Sequence, residues 1–551
     1  MALVFTKNPA ADDRSSTRAD WPPAAPGNGR TGRQTIRSLL VMRAAGNSKP
    51  GPLDAPARLS NRSALALAEA IDARWAALCE VHAPRLEGAW RHHVPSRGLR
   101  ARQGWKIHLS ATLLSAVDLF ERSAATLSGS GLAFKVAASL DAMRWLANGL
   151  DFGRSQVGKM ITVYCPDPRQ ARSLAEQLHA CTIGVPGPRV PSDLQFRPGS
   201  AVYYRYGSYA ERLAEIDGRQ VPVYLDPAGE PVADRRTRST AVPPWASNPF
   251  IESGAAEPDS AVPRTRARYR ATRMLGWRGR GGVYLAEEAG GDAPRWVVLK
   301  EALSNGGIDL DGRSAELQLR GEMRCLATLG TIIPVPTVVE YFRQDGCGYL
   351  VLERIAGRSI DELIHDDALS WVARFAIAHQ MVDIVSRLHA SGWAWRDCKP
   401  QNFMLEGARV RPIDFETAIR LRGRPALFMS TKGYFLESKL VSSGKQAEQQ
   451  DLYALGVTLH RLFAGCSDRQ VFYPAALAGL PDAVPRVVRE AIDALKNPVP
   501  RERPPARIVK QAFESIGHGG EPRAANQAAV KPASPAPPPP PSGRSAAAQS
   551  T

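Results

Sequence analysis

Asp397, Lys399 and Asn402 share one short stretch, Trp393-Ala-Trp-Arg-Asp-Cys-Lys-Pro-Gln-Asn402. A carboxylate there can take a proton from an attacking hydroxyl, and an ammonium can meet the charge of a moving phosphate. An amide oxygen can help hold a hard cation. Three such residues also arise by chance on a solvated loop, so their weight depends on their company. Downstream, Val410-Arg-Pro-Ile-Asp-Phe-Glu416 is an apolar run that delivers a second carboxylate, Asp414. Upstream, Arg295-Trp-Val-Val-Leu-Lys300 is a β-type run ending in lysine. Before it lies the glycine-rich Leu275-Gly-Trp-Arg-Gly-Arg-Gly-Gly-Val-Tyr-Leu285. A lone glycine-rich turn is usually only a hairpin. Four elements in this order can carry out phosphoryl transfer.

The order and spacing resemble the protein kinases. The resemblance makes Asp397 the base for a substrate hydroxyl and places Lys399 against the transferred phosphate. Asn402 and Asp414 become the magnesium ligands, and Lys300 the grip on the α- and β-phosphates of ATP. Glu322 is the candidate helix partner of Lys300, with Glu316 the alternative. Gly276, Gly281 and Val283 fit the phosphate-covering loop. The pattern departs from the family at four points. Trp395 stands for the usual histidine and Glu416 for the glycine after Asp-Phe, which stiffens that hinge. Arg278 takes the second glycine position. Phe435-Leu-Glu-Ser438 replaces the usual Ala-Pro-Glu, which leaves open the partner of Arg503. Asp451 resembles the aspartate that braces the catalytic loop.

The elements that must position these residues fall in two blocks. The chain has 551 residues, enough for two or three domains, and a net charge of +17. Arg, Ala and Pro are abundant throughout, and no basic run is interleaved with aromatics. The charge therefore does not point to nucleic acid. Seven scattered cysteines without a Cys-x-x-Cys pair fit reduced thiols in a cytoplasmic protein, and exclude a structural zinc site. No run reaches the length of a membrane span. Residues 1–58 read as disordered, 59–232 as a first α+β domain, and 233–265 as a Pro/Ser/Ala-rich linker. Residues 266–516 read as the kinase domain and 517–551 as a disordered polyproline tail, a spacer or a ligand for a proline-binding groove.

Within the first block, Gly104-Trp-Lys-Ile-His-Leu-Ser110 alternates apolar with polar residues, a strand whose one face bears Lys106, His108 and Ser110. Further short strands carry Lys135, Lys159 and Arg205, with helices expected at 63–80, 113–127 and 168–180. Each cation alone reads as a solvated charge on a strand face. Together with His108 they are what a phosphorylated side chain needs. Cations neutralise the phosphate, a crowded lysine has its pKa lowered, and histidine can give the leaving group a proton.

Gly104–Ser110, Phe134-Lys135, Gly158-Lys-Met-Ile-Thr-Val-Tyr164, Gly187-Pro-Arg-Val-Pro-Ser-Asp193 and Tyr203-Tyr-Arg-Tyr-Gly207 resemble the N-terminal region of the class III lanthionine synthetases. That region is similar to the phosphothreonine lyases, and a Ser/Thr kinase domain follows it. Asp414-Phe-Glu416 is similar to the Asp-Phe-Glu of those kinases. The resemblance implies that the kinase phosphorylates Ser or Thr of a precursor peptide and that the lyase domain removes phosphate, leaving dehydroamino acids. It implies Lys135 as the α-proton base, His108 as the acid, and Lys106, Lys159 and Arg205 as the phosphate clamp. The family's C-terminal cyclase is not expected after Ile516, where only a short Pro-rich stretch without cysteine remains; ring closure would then need a separate cyclase. Two other readings compete: a kinase whose first domain only binds phosphorylated segments, and a pseudokinase scaffold.

Overall fold

Alternation of Trp105, Ile107 and Leu109 with polar residues builds the middle of an antiparallel sheet. The computed structural model describes residues 61–96, 98–99, 101–148, 153–237, 241–251, 268–290, 295–308, 310, 312–344, 346–423, 426–427, 431, 433–436, 441–466 and 479–517. The N-terminal block runs α1 (Asn61–His82), β1 (Arg85–Glu87), β2 (Trp90–His93), β3 (Gln103–Ser110), α2 (Ala116–Gly129), β4 (Phe134–Ala137) and α3 (Leu140–Asn148). It continues with β5 (Lys159–Cys165), α4 (Pro168–Cys181), β6 (Leu194–Gln195) and β7 (Val202–Ser208). Strands β8 (Leu213–Ile216), β9 (Arg219–Leu225) and β10 (Pro231–Ala233) form a separate small sheet.

The main sheet has the order β1-β2-β4-β5-β3-β7-β6. Ile107 and Leu109 are fully buried, as are Trp75 of α1 and Phe120 of α2, whose rings lie 5.1 Å apart. Burying each such side chain contributes about 1.5–3 kcal/mol. Helix α4 starts where Asp167 accepts from the Gln170 amide at 2.7 Å with Pro168 just inside, and it buries Ala171, Leu174 and Leu178.

The register aligns the polar residues. His108 pairs with Thr162 on β5 and Tyr203 on β7, Thr162 pairs with Lys135 on β4, and Lys106 faces Arg205. Directly paired residues share a face, so these side chains form one polar array. A bulge sets Ser110 opposite Lys159 and leaves Met160 as the extra residue. It turns Lys159 to the same face as Thr162, which strict alternation along β5 would forbid.

The polar face is covered: His108, Lys159 and Arg205 are all buried. One expectation is corrected here. The stretch from 233, read as a linker, packs on the first domain as far as Phe250. Phe250 stacks on Tyr204 with centroids 4.0 Å apart and meets Trp105 edge-on at 5.3 Å. Asn248 Nδ2 donates to Tyr204 Oη at 3.2 Å. Its few aromatics outweigh its Pro, Ser and Ala content. The termini expected at 1–58 and 517–551 lie outside the described residues, except for Gly517, which ends the helix Ala506–Gly517.

The second block opens with β11 (Tyr269–Arg278), β12 (Gly281–Glu288) and β13 (Arg295–Ala302), then α5 (Ala315–Leu329), β14 (Val338–Gln344) and β15 (Cys347–Glu353). The sheet order is β11-β12-β13-β15-β14, with α5 packed against it. The helical part includes α6 (Ile360–Leu363), α7 (Trp371–Ala390) and α8 (Gly444–Ala464). Both blocks mix helix and antiparallel sheet, an α+β architecture. They touch where Asn305 Nδ2 donates to Gly187 O at 3.3 Å and where the Arg154 guanidinium lies 5.5 Å from the Trp277 ring centroid. Among the described residues no helix is long and apolar enough to cross a membrane.

Candidate active sites

Lys300 ends the apolar part of β13 and is held at two points. Its Nζ is 2.7 Å from Glu322 Oε1 and 2.8 Å from Asp414 Oδ1. Glu322 is thus the helix partner. Glu316 instead accepts from Tyr341 Oη at 2.9 Å and pairs with Arg343 at 3.2 Å. Burial pulls the Lys300 ammonium toward neutrality, but Asp414, Glu322 and Glu416 outweigh it and raise its pKa, so it stays a cation. Burial likewise pushes the Asp414 carboxyl up, and Lys300 with Lys399 and Arg278 overcomes this and keeps it ionised.

Asp414 takes a left-handed backbone, φ 65°, which an L-residue adopts at a cost of about 1–3 kcal/mol. Trp395 helps hold it there. Its Nε1 donates to Asp414 O at 2.8 Å and its ring stacks on Phe415, centroids 4.9 Å apart and planes at 10°. The tryptophan in place of histidine therefore ties the catalytic loop to the Asp-Phe-Glu segment. Asp451, fully buried, accepts from the Trp395 and Arg396 amides, each at 2.6 Å.

Around Asp397, Lys399 Nζ lies 2.8 Å from Oδ2 and Asn402 Nδ2 donates to the same oxygen at 2.7 Å. Thr431 Oγ1 donates to Asp397 Oδ1 at 2.9 Å and accepts from Lys399 at 2.9 Å. No spacing rule marks the Thr431 hydroxyl in the sequence. Gly276 pairs with Val283 across the β11–β12 hairpin, and a Cβ at Gly276 would meet open space. A Cβ at Gly281 would lie 1.8 Å from Glu301 O, so close approach to β13 requires glycine there. Arg503 donates to Asn497 O and Gln449 O at 2.8 and 2.7 Å, while Glu437 and Ser438 lie outside the described residues.

The N-terminal block holds the second site, a cleft of about 150 Å³ lined by Lys106, His108, Lys135, Lys159, Thr162 and Arg205 among others. All five basic residues singled out in the sequence meet there. Buried cations need counter-charges, because an unpaired one costs several kcal/mol. Two carboxylates supply them. Asp193 Oδ2 is 2.5 Å from His108 Nδ1, and its Oδ1 is 2.9 Å from Lys159 Nζ. Asp234 pairs with Arg205. Asp193 stood in a quoted motif without a role, and Asp234 lay in the supposed linker; only the demand for charge balance could have pointed to them. Thr162 Oγ1 and Arg205 Nε are buried without a hydrogen-bond partner among the described residues. Buried polar atoms left unmet beside a cleft suit a polar ligand.

Burial and the neighbouring Lys159 and Arg236 push Lys135 down to about 8. Burial lowers Lys106 too, joined by Arg205 and Lys159. Burial and Lys159 push His108 down to about 3, against the pull of Asp193. The cleft thus presents a lysine able to lose its proton near neutral pH, a neutral imidazole and at least two guanidinium or ammonium cations. Lys135 Nζ also lies 3.7 Å over the Trp90 ring centroid.

Residues 74–262 match the family described as RamC, N-terminal domain, and residues 273–472 match the protein kinase domain. The chain joins a RamC-type N-terminal domain to a protein kinase domain. It is 32% identical over 391 residues to the probable SapB synthase of Streptomyces coelicolor, an alignment covering 66% of this chain and 40% of that protein. Over the kinase region it is similar to serine/threonine-protein kinase D of Synechocystis, 26% identical across 46% of this chain and 54% of that one. It is also similar to serine/threonine-protein kinase PknG of Mycolicibacterium smegmatis, 27% identical across 50% and 36%. The chain thus spans about half or less of these relatives. The RamC-type match reaches past residue 250, in step with the packing of Phe250, and contains the whole cationic cleft.

Proposed function

We propose that this chain is a peptide dehydratase that works in two steps: Ser/Thr phosphorylation in the kinase domain, then elimination of phosphate in the RamC-type domain. One observation carries the reading: a kinase centre with Lys300 and Glu322 paired shares a chain with a buried cleft on which Lys106, His108, Lys135, Lys159 and Arg205 converge. Of the competing readings, the scaffold does not account for a kinase centre held together so completely.

In the first step Asp397 accepts the proton of the substrate hydroxyl as its oxygen bonds to the γ-phosphorus of ATP and the bond to ADP breaks. Lys300 holds the α- and β-phosphates, and Lys399 meets the charge on the transferred group. Asn402 and Asp414 would hold magnesium, which neutralises phosphate charge when bound. The donor set fits that ion: one amide and one carboxylate, with no cluster of three or more His, Cys, Asp or Glu among the described residues. Magnesium keeps waters and phosphates in its shell and needs few protein ligands.

In the second step Lys135 takes the α-proton of the phosphorylated residue, the Cα–Cβ double bond forms, and the Cβ–O bond breaks toward phosphate. Lys106, Lys159 and Arg205 hold the dianion. Burial and Lys159 keep His108 neutral until the dianion binds; the charge of the dianion favours the imidazolium, so the imidazole can gain a proton and pass it to the leaving oxygen. The substrate is a Ser/Thr-containing peptide. Ring closure by thiol addition is work for a cyclase, which neither described site supplies. The seven cysteines form no disulfide among the described residues, which suits the cytoplasm.

The two chemistries occupy separate sites, so they separate by mutation. Lys300→Met is expected to stop phosphorylation of a Ser/Thr peptide and to leave elimination from a synthetic phosphopeptide within a few-fold of wild type. Mass spectrometry of both peptides reads the outcome. Loss of elimination in a folded Lys300→Met protein would contradict two independent sites.

A further inference from the structure

Arg280 lies in the turn of the β11–β12 hairpin, beside the stretch read as covering the nucleotide phosphates. Its side chain turns inward. It donates to Gln318 Oε1 on α5, and its Nη2 is 3.3 Å from Glu416 Oε1. Gln318 precedes Glu322 by one helical turn and shares its face. Glu416 follows Asp414 by two residues. One guanidinium thus touches a neighbour of each carboxylate that grips Lys300.

The seat for Arg280 is built around it. A Cβ at Gly307 would lie 2.0 Å from Arg280 Cγ, and Gly307 has a left-handed φ of 59°. The Leu303 amide donates to Arg280 O at 2.8 Å, and the Ala315 amide, at the start of α5, donates to Gly306 O at 2.9 Å. The same loop reaches the RamC-type domain through Asn305. Arginine suits the place because its planar fork serves two acceptors at once, which an ammonium does poorly.

We infer that Arg280 is a positioning residue for phosphoryl transfer, clasping the glycine-rich hairpin to α5 and to the Asp-Phe-Glu segment through Gln318 and Glu416. Glu416 is then the handle by which the metal-binding segment is held, and its place at the family's glycine position has a purpose. The clasp favours the arrangement in which Lys300, Glu322 and Asp414 meet. The inference rests on the kinase reading of the second block.

The test is a kinetic cycle on the full chain, with ATP, magnesium and a Ser/Thr peptide. Arg280→Ala and Glu416→Ala are each expected to lower kcat about tenfold or more, since small misplacements at a reacting centre are costly. The double variant should be no slower than the worse single one, because the two act through one contact. Arg280→Lys should recover only part of the loss. The KM for peptide should stay within about twofold and the circular dichroism spectrum should match wild type, so that the lower kcat is not a loss of folded protein. Glu416→Gln keeps the volume and removes the charge, so it reads the ion pair if an alanine variant fails to fold. Singles within twofold of wild type, or losses that multiply in the double variant, overturn the clasp. A wild type that transfers no phosphate removes the kinase reading, and the clasp with it.

Discussion

Asp414→Asn is expected to abolish phosphate incorporation into a Ser/Thr peptide, and Asp397→Asn to slow it by about 10²–10⁴-fold. The two losses have different origins. Asp414 is ionised and locked, with Lys300 at 2.8 Å and Trp395 bonded to its carbonyl. The amide of asparagine keeps the shape but loses the charge that a divalent cation needs. It also leaves the Lys300 cation with Glu322 as its remaining partner in that pair of contacts. Asp397→Asn keeps the contacts to Lys399 and Asn402 in outline but cannot take a proton, so a slow reaction through water persists. Labelled ATP with the purified variants checks both. Incorporation by Asp414→Asn at the wild-type rate would sink the assignment of the second block.

Lys135→Ala and His108→Ala are expected to accumulate phosphorylated peptide while kinase activity persists, with elimination slowed by about 10²–10⁴-fold in each. The geometry supports different roles for the two. Lys135 is lowered to about 8 by burial, Lys159 and Arg236, so below that pH it is an ammonium and cannot act as a base. Elimination by the wild type should therefore fall as pH drops below about 8, by about tenfold per unit; burial pushes Lys159 down to about 8 too, so above that pH the clamp loses a cation and the rise should turn over. His108 starts neutral and depends on the phosphate to regain its proton. The measurement is phosphate release from a synthetic phosphopeptide without ATP, across pH, for wild type and each variant. Release by both variants at the wild-type rate places the chemistry elsewhere. Wild type that binds the phosphopeptide and never releases phosphate leaves the first block a binding module.

Much of this was legible in the chain because local rules and chemical order agreed. The alternation through Trp105, Ile107 and Leu109 marked β3, and period-2 placement put Lys106 and His108 on one face. The kinase elements stood in sequence order with their chemistry intact. What lay beyond reach depended on contacts between distant residues. Which glutamate meets Lys300 is decided by how α5 lies on the sheet, and spacing alone allowed Glu316 as well. Lys159 faces the cleft only because of a bulge at Met160, which no local pattern announces. Asp193 and Asp234 answer charges brought together by the fold. Glu416 looked like a departure from a motif and Arg280 like an ordinary turn residue, and only their 3.3 Å contact links them.

The most direct test follows one unmodified Ser/Thr peptide by intact mass over time, with wild-type protein, ATP and magnesium. The account predicts that a phosphorylated species rises first and then gives way to a product lighter than the starting peptide by one water per modified residue. A peptide that gains phosphate and keeps it, under conditions where the protein remains folded, would contradict a dehydratase and leave a kinase with a phosphate-binding domain.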